Sequence, residues 1–313
     1  MDGSLPEDRP LHMPPVTVGV PVYNGAQWLE ASLACLRDQT FRDIEVLIYD
    51  NSSDDATPEI AQAFCAEDAR FRYFRQPENK GALRNFLDVL RAARSPYFMW
   101  RAADDTSDLN YIEVLLELLV AHPGRDLAAP RVVSVLPDGR VAAAYDVPRP
   151  IENAEAIGRA AQLFLVNAGW IYGLFRREPM IRLLPEILED YPHYSGWDVV
   201  TLIPFAFDRK VIGANRTSWY GYLRYPGPRP NYSQRAARDV AKVERLSSLL
   251  KYAHRHVDRV IEGRFERFTY HLVISYYGMT RGLSFSKRLR IKLNQAMGIA
   301  PALSSTKPAR PAS

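Results

Sequence analysis

The stretch YFMWRAADD, residues 97–105, decides how the chain is read. Four residues of strand character, 97–100, run into a polar end, Ala103-Asp104-Asp105. Upstream the same pattern recurs. VTVGVP (16–21) is followed by Tyr23-Asn24, IEVLIY (44–49) by Asp50-Asn51, and the short run 71–74 by Asn79-Lys80-Gly81. Between these runs, 26–39, 57–66 and 83–93 have helical spacing, and 111–121 follows the last strand. In 26–39, Trp28, Leu29, Leu33 and Leu36 share one side. Strands alternating with helices of about 10–15 residues read as βαβ units on a mostly parallel sheet flanked by helices. Ligands bind such sheets at the carboxyl ends of the strands. Each polar end alone reads as a turn or cap, which Asp and Asn favour. Four such ends on one rim predict a shared site.

The composition bounds the remaining possibilities. A chain of 313 residues allows one large domain or two small ones. With 47% apolar and 24% charged residues, fibrous and mostly disordered chains are excluded. Only Cys35 and Cys65 are present, so neither a disulfide framework nor a structural zinc site is expected. No apolar run approaches the roughly 20 residues of a membrane span. Residues 1–15 lack the apolar core of a signal peptide, so the expected compartment is the cytoplasm. The charge is asymmetric: Glu266 is the last acidic residue, and eight basic residues follow it. That distribution argues against a nucleic-acid partner for the body and for an anionic partner at the C-terminal end.

After residue 132 the alternation loosens. Pro137-Asp138-Gly139 reads as a turn between two short strands, 154–165 as a helix, 169–176 as a strand and 197–207 as an apolar helix. From 234 to about 297 the pattern is helical, and 300–313 is expected to be disordered. The plan is a tail (1–15), an α/β domain (16–232, dividing at 122/123), a helical extension (233–299) and a second tail (300–313).

Adjacent carboxylates at a strand end, such as Asp104-Asp105, can hold a hard divalent cation against phosphate oxygens. They occur in a specific order of motifs: VPVYN (20–24), YDNSSDDAT (49–57), ENKGALRNF (78–86) and YFMWRAADD (97–105), then IYGLFRRE (171–178) and GWDVV (196–200). In this order and spacing the motifs resemble glycosyltransferase family 2, the inverting enzymes with the GT-A fold. The resemblance spans roughly residues 16–225. It implies transfer of a sugar from a nucleotide-sugar donor, with UDP or dTDP favoured, to a hydroxyl of a saccharide or lipid-linked acceptor. It further implies a divalent metal, Mn or Mg, and a role in bacterial cell-envelope or polysaccharide synthesis.

The same resemblance distributes roles. Pro21, Tyr23 and Asn24 match the first nucleotide loop, with Tyr23 against the base. Asp50 matches the acceptor of a pyrimidine ring N–H, with Asn51 beside it. Asn79 and Gly81 belong to the next loop, followed by Arg84 and Asn85 facing the nucleotide. Asp104 matches a residue near the ribose and sugar, Asp105 the metal ligand and Asp198 the general base. The chain departs from the family pattern in three places. Ala102 stands where a further acid is common, Trp197 precedes Asp198 where an acid is common, and Leu223-Arg224-Tyr225-Pro226 lacks a usual His, for which Arg224 or Arg229 would substitute.

Inversion needs one in-line displacement and one base, whereas a retaining hydrolase would need two flanking carboxyls. Two rivals remain: a sugar-phosphate nucleotidyltransferase and a non-catalytic nucleotide-sugar-binding protein. The first would need a Gly-rich basic loop that VPVYNGAQW does not supply. Trp170, Trp197, Trp219, Tyr220, Tyr222 and Tyr225 read as core rings or as sugar-stacking ones, and His193 as a core or surface residue near Asp198. Glu178 reads as a helix N-terminal charge. In 285–297, Phe285, Leu289, Leu293 and Met297 repeat every four residues among Lys287, Arg288, Arg290 and Lys292. Two readings stand: a helix packed on the body, or peripheral contact with an anionic membrane on its inner, cytoplasmic face.

Overall fold

Val16, Val18, Val20 and Val22 share one face of β1 (Val16–Val22) and Thr17, Gly19 and Pro21 the other; the strand is buried along its whole length, as a central parallel strand covered by helices must be. The structure, a computed structural model, describes residues 13–148, 159, 163–193, 195–223 and 232–282, with the side chains of 232–243 and 279–282 left aside. From β1 the chain runs through α1 (Ala26–Arg37), β2 (Ile44–Asp50), α2 (Thr57–Glu67), β3 (Phe71–Arg75), α3 (Ala82–Ala92) and β4 (Tyr97–Trp100). These strands lie in the order β3-β2-β1-β4, all parallel. The register pairs Val22 with Asp50, so the polar ends of β1 and β2 are level.

Beyond β4 the sheet becomes mixed. The later elements are β5 (Thr106–Ser107), α4 (Tyr111–Ala121), β6 (Leu127–Val135), β7 (Val141–Tyr145), β8 (Leu174–Arg176), α5 (Arg177–Asp190), α6 (Trp197–Phe207) and β9 (Val211–Tyr222). β8 joins the halves, pairing antiparallel with β4 at Tyr97↔Arg176 and Phe98↔Phe175 and with β6 on its other side. β6 pairs parallel with β9 and forms a hairpin with β7 around the turn at 137–139. Rings cement the joint. Trp100 contacts Phe98, Phe175 and Trp197, with centroids 4.9, 6.0 and 5.4 Å apart.

Three features differ from the sequence reading. Residues 169–176 are not one strand: Ala168–Tyr172 forms a 3-10 turn and only Leu174–Arg176 is extended. Asn167 caps that turn by accepting the Gly169 N–H at 2.9 Å, and a Cβ at Gly173 would lie 2.4 Å from the Ala128 carbonyl oxygen. β9 and the two-residue β5 escape the pattern, because Gly213, Asn215 and Arg216 interrupt any alternation in β9. The C-terminal helical run is two helices, α7 (Tyr232–Val260) and α8 (Arg264–Gly282), broken at Ile261-Glu262-Gly263. One core takes in both sheet halves and extends to Tyr252 on α7 and Tyr277 on α8. No helix among the described residues is long and apolar enough to cross a membrane. The expected helix 154–165 lies mostly outside the described residues. The tails 1–12 and 300–313, the basic segment 285–297, Tyr225, Arg224 and Arg229 lie wholly outside them.

Candidate active site

The level strand ends open on a cavity of about 490 Å³. Tyr23, Asn24, Asn51, Asn79, Asp104 and Tyr172 line it, with Pro21, Gly81, Asn85 and Phe86. The structure thus brings Pro21, Tyr23, Asn24, Asn51, Asn79, Gly81 and Asp104 onto one surface. Asp50, Arg84, Asp105 and Asp198 are not on it.

The first loop owes its shape to the second. Backbone N–H groups of Asn24, Gly25 and Ala26 donate to Ser53 Oγ, Thr57 Oγ1 and Asp55 Oδ2, at 2.9, 2.9 and 3.0 Å. Asp54 N–H donates back to Asn24 Oδ1 at 3.0 Å. Asn24 lies at φ 49° and Ser52 at φ 67°, a region that Asn tolerates better than most residues. Burial would raise the Asp55 carboxyl, but bonds from Thr57 and from the Ala26 N–H hold it below its ordinary value. The segment SSDDAT, which reads from sequence as turn and caps, is therefore a brace for the cavity wall.

Asn51 links the second loop to the third. Its Nδ2 donates to Asn79 Oδ1 at 2.7 Å, and its Oδ1 accepts from Lys80 N at 2.9 Å. Asn79 Oδ1 also accepts from Gly81 N at 2.9 Å. Two donors on that oxygen fix the amide's orientation and leave the Asn79 NH₂ facing outward from the network. Gly81 adopts φ 82° at the start of α3, a conformation that favours glycine. Asn85, next on α3, donates to Tyr49 O at 2.7 Å.

Asp50 stands behind the wall, not on it. It is wholly buried. Its Oδ1 accepts from Ser53 N at 2.9 Å and Ser53 Oγ at 2.5 Å, and its Oδ2 from the Tyr73 hydroxyl at 2.6 Å. Burial and the Asp50 charge push the Tyr73 phenol up, so it remains a donor. Oδ2 keeps a further acceptor position, which a base N–H can reach only if the groups that bury Asp50 move aside. Ser53 and Tyr73 thus hold the carboxylate that is expected to accept a base N–H, and the neighbouring Asn51 lines the cavity.

The two adjacent carboxylates also divide. Asp104 is on the cavity wall. Asp105 is buried, and its Oδ1 accepts the Tyr222 N–H from β9 at 3.2 Å. No group of three or more His, Cys, Asp or Glu side chains converges on a cation position among the described residues. The hard oxygens of the pair still suit Mg²⁺ or Mn²⁺, ions that bind through one or two carboxylates plus substrate phosphates. Arg84, expected to face the nucleotide, lines an adjacent cavity of about 520 Å³ with Lys80, Arg91 and Leu188. That cavity shares Gly81 and Ala82 with the first.

Asp198 is in the first turn of α6, whose N-cap Gly196 lies at φ 88°. Its Oδ1 accepts the Val199 N–H at 2.8 Å. The preceding Trp197 packs edge-on against Phe86 of the cavity, with centroids 5.4 Å apart, which fixes the start of α6 relative to the floor. Trp170, Trp197 and Trp219 are core residues, all buried. Tyr172 is the aromatic that sequence reasoning passed over. Its ring stacks on Trp219 at 4.8 Å, and its carbonyl accepts from the Tyr111 hydroxyl at 2.9 Å. Burial pushes the Tyr111 phenol up and keeps it a donor. His193 bonds Ser248 of α7 at 3.3 Å, and Glu178 lies in the first turn of α5.

Comparison with known proteins gives this geometry a context. A family model described as glycosyl transferase family 2 matches residues 17–195. Glycosyltransferase GlyA of Streptococcus pneumoniae is 34% identical over 107 residues, which cover 34% of this chain and 15% of GlyA. GlyG of the same organism is 32% identical over 103 residues, covering 33% of this chain and 34% of GlyG. The chain thus spans about a third or less of the length of these curated relatives. Among solved structures, S. aureus TarS (residues 1–349) with UDP-GlcNAc superposes with TM-score 0.60 at 14% identity, over 91% of this chain and 78% of that one. The Pyrobaculum calidifontis mannosyltransferase with GDP-Man and Mn²⁺ gives 0.53 at 18% identity, over 94% and 78%.

Proposed function

The chain belongs to glycosyl transferase family 2, and from that premise we propose that it moves a sugar from a nucleoside diphosphate to an acceptor hydroxyl with inversion. One observation carries the reading: loops from the ends of the parallel strands converge on one cavity with Asp104 on its wall. In the proposed step an acceptor oxygen attacks the anomeric carbon in line with the departing diphosphate. Asp198 takes the hydroxyl proton, and the nucleoside diphosphate leaves with the bonding pair. Asp104, backed by Asp105, would hold Mg²⁺ or Mn²⁺, which neutralises the diphosphate oxygens. Arg84, in the neighbouring cavity, adds positive charge near the shared wall.

Base recognition falls to Tyr23 and Asn79. Tyr23 is 49% exposed on the cavity and offers a face for stacking. The outward NH₂ of Asn79 suits a keto oxygen, such as those of uracil, thymine or guanine. We favour a UDP-sugar, in keeping with TarS, whose structures include UDP and UDP-GlcNAc complexes. The acceptor is a saccharide or lipid-linked intermediate of a bacterial envelope polysaccharide, met on the cytoplasmic side, with 285–297 touching the anionic membrane.

Thermal shift with UDP, CDP and GDP, with and without Mn²⁺, tests the reading, since a ligand bound only by the native state raises Tm. UDP should give the largest rise, and more in Mn²⁺. No shift with any nucleoside diphosphate would end it.

A further inference from the structure

The helix α8 has two apolar stripes. Tyr270, Ile274 and Tyr277 are buried in the core. Phe207 of α6 meets Tyr270 with centroids 5.0 Å apart. At 3.6 residues per turn, Phe265, Phe268 and Leu272 fall on the opposite side. These three are 85%, 60% and 57% exposed. Two phenylalanines and a leucine in register on a solvent face are unusual for a soluble surface and mark an interaction site. The stripe ends where Tyr276 packs against Phe164, centroids 5.8 Å apart.

Charge identifies the partner. Glu262 and Glu266 flank only the start of α8; from Arg267 to residue 313 there are eight basic residues and no acidic one. A hydrophobic stripe on a helix that leads into a wholly cationic sequence matches an anionic bilayer, where apolar side chains enter the acyl boundary and cations meet the headgroups. An ordinary protein partner would not need both. We propose that α8 docks on anionic lipid through Phe265, Phe268 and Leu272. This deepens the membrane contact proposed for 285–297 and rests on it for the charge, but it is independent of sugar transfer.

The test is flotation of the full chain with vesicles of phosphatidylcholine alone or mixed equally with phosphatidylglycerol. The wild type should float only with the anionic vesicles. The triple variant Phe265→Ser, Phe268→Ser, Leu272→Ser should lose at least about tenfold in partitioning. Its Tm and UDP affinity should not change, because the replaced side chains lie outside the core and the cavity. As a variant that keeps the stripe apolar, Phe265→Trp should bind as wild type and shift its added emission to the blue on anionic vesicles. Triple-variant flotation equal to wild type would overturn the proposal. So would a wild-type chain that does not float, or one whose stripe instead drives self-association abolished by the triple variant. If neutralising Lys287, Arg288, Arg290 and Lys292 to Gln removes flotation while the triple variant keeps it, the segment 285–297 binds lipid and α8 does not. Loss of UDP binding in a chain that still floats as described would sink the donor reading and leave this one standing.

Discussion

Asn51 donates to Asn79 at 2.7 Å and so ties the end of β2 to the loop after β3. The bond settles which atoms of Asn79 remain for a ligand. Asn79→Asp keeps the acceptor and replaces the NH₂ with an oxygen. UDP should then bind at least about tenfold more weakly, on the order of the 1–3 kcal/mol of an unsatisfied polar group. CDP, whose exocyclic amine donates, should be spared. Calorimetry on both nucleotides reads the difference; a parallel loss for UDP and CDP would mean that Asn79 does not read the base.

Ser53 Oγ serves two partners, donating to Asp50 and accepting from Asn24. Ser53→Ala should destabilise the fold by about 1–3 kcal/mol, because a buried acceptor loses a donor. Urea unfolding should show the midpoint fall with an unchanged slope. UDP affinity should fall with it through the freed Asn24 loop. An unchanged midpoint would show the brace to be dispensable.

The two neighbouring aspartates should separate experimentally. Asp104→Asn should abolish the Mn²⁺ enhancement of UDP binding, because its side chain is on the cavity wall. Asp105→Ala should abolish transfer and also lower Tm, because the Tyr222 N–H loses its acceptor. Full turnover in chelator-treated enzyme would remove the metal from the scheme.

Asp198→Asn preserves shape and removes basicity. Turnover should fall roughly 10²–10⁴-fold with the donor's Kd nearly constant. A variant that turned over normally but bound donor poorly would move the base elsewhere.

Between α7 and α8, His254 Nδ1 and His271 Nδ1 are 2.7 Å apart, and His271 Nε2 is 2.9 Å from Asp258. Burial and the facing His271 ring hold the His254 imidazole below its ordinary value of 6.5, against the pull of Asp258. The unfolded chain therefore binds the proton first. The stabilisation is complete above about pH 6.5 and is lost as pH falls through the lower folded value. Tm measured across that range should fall more steeply for wild type than for His254→Gln; equal slopes would dismiss the pair as a pH-sensitive contact.

The parallel half of the fold was legible because its signals are local. In β1 and β2, apolar runs end abruptly at polar clusters, and α4 and α6 were bounded to the residue by their apolar stretches. The second half hid β9, whose Gly213, Asn215 and Arg216 break any alternation. It also hid the 3-10 turn, where Asn167 and Gly173 override strand-like neighbours. At the site, the rim could be read from Asn24, Asn51, Asn79 and Asp104. The burial of Asp50 could not, because it follows from Ser53 and Tyr73 folding over the carboxylate, contacts that leave no mark in the order of residues. The brace from Ser53, Asp55 and Thr57 was equally hidden, since capping side chains have the same composition whichever loop they hold.

The joint at β8 has a thermal consequence. Three residues, Leu174–Arg176, link the two halves of the sheet, and only two register pairs bind them to β4. The rings of Trp100, Phe175, Trp197 and Phe205 add apolar packing to those few backbone bonds. Apolar cohesion weakens on cooling, whereas strand ladders depend on it less directly. With so few backbone pairs, the seam between the parallel half and the rest leans on contacts that weaken in the cold, and chilling should loosen the relation between the halves.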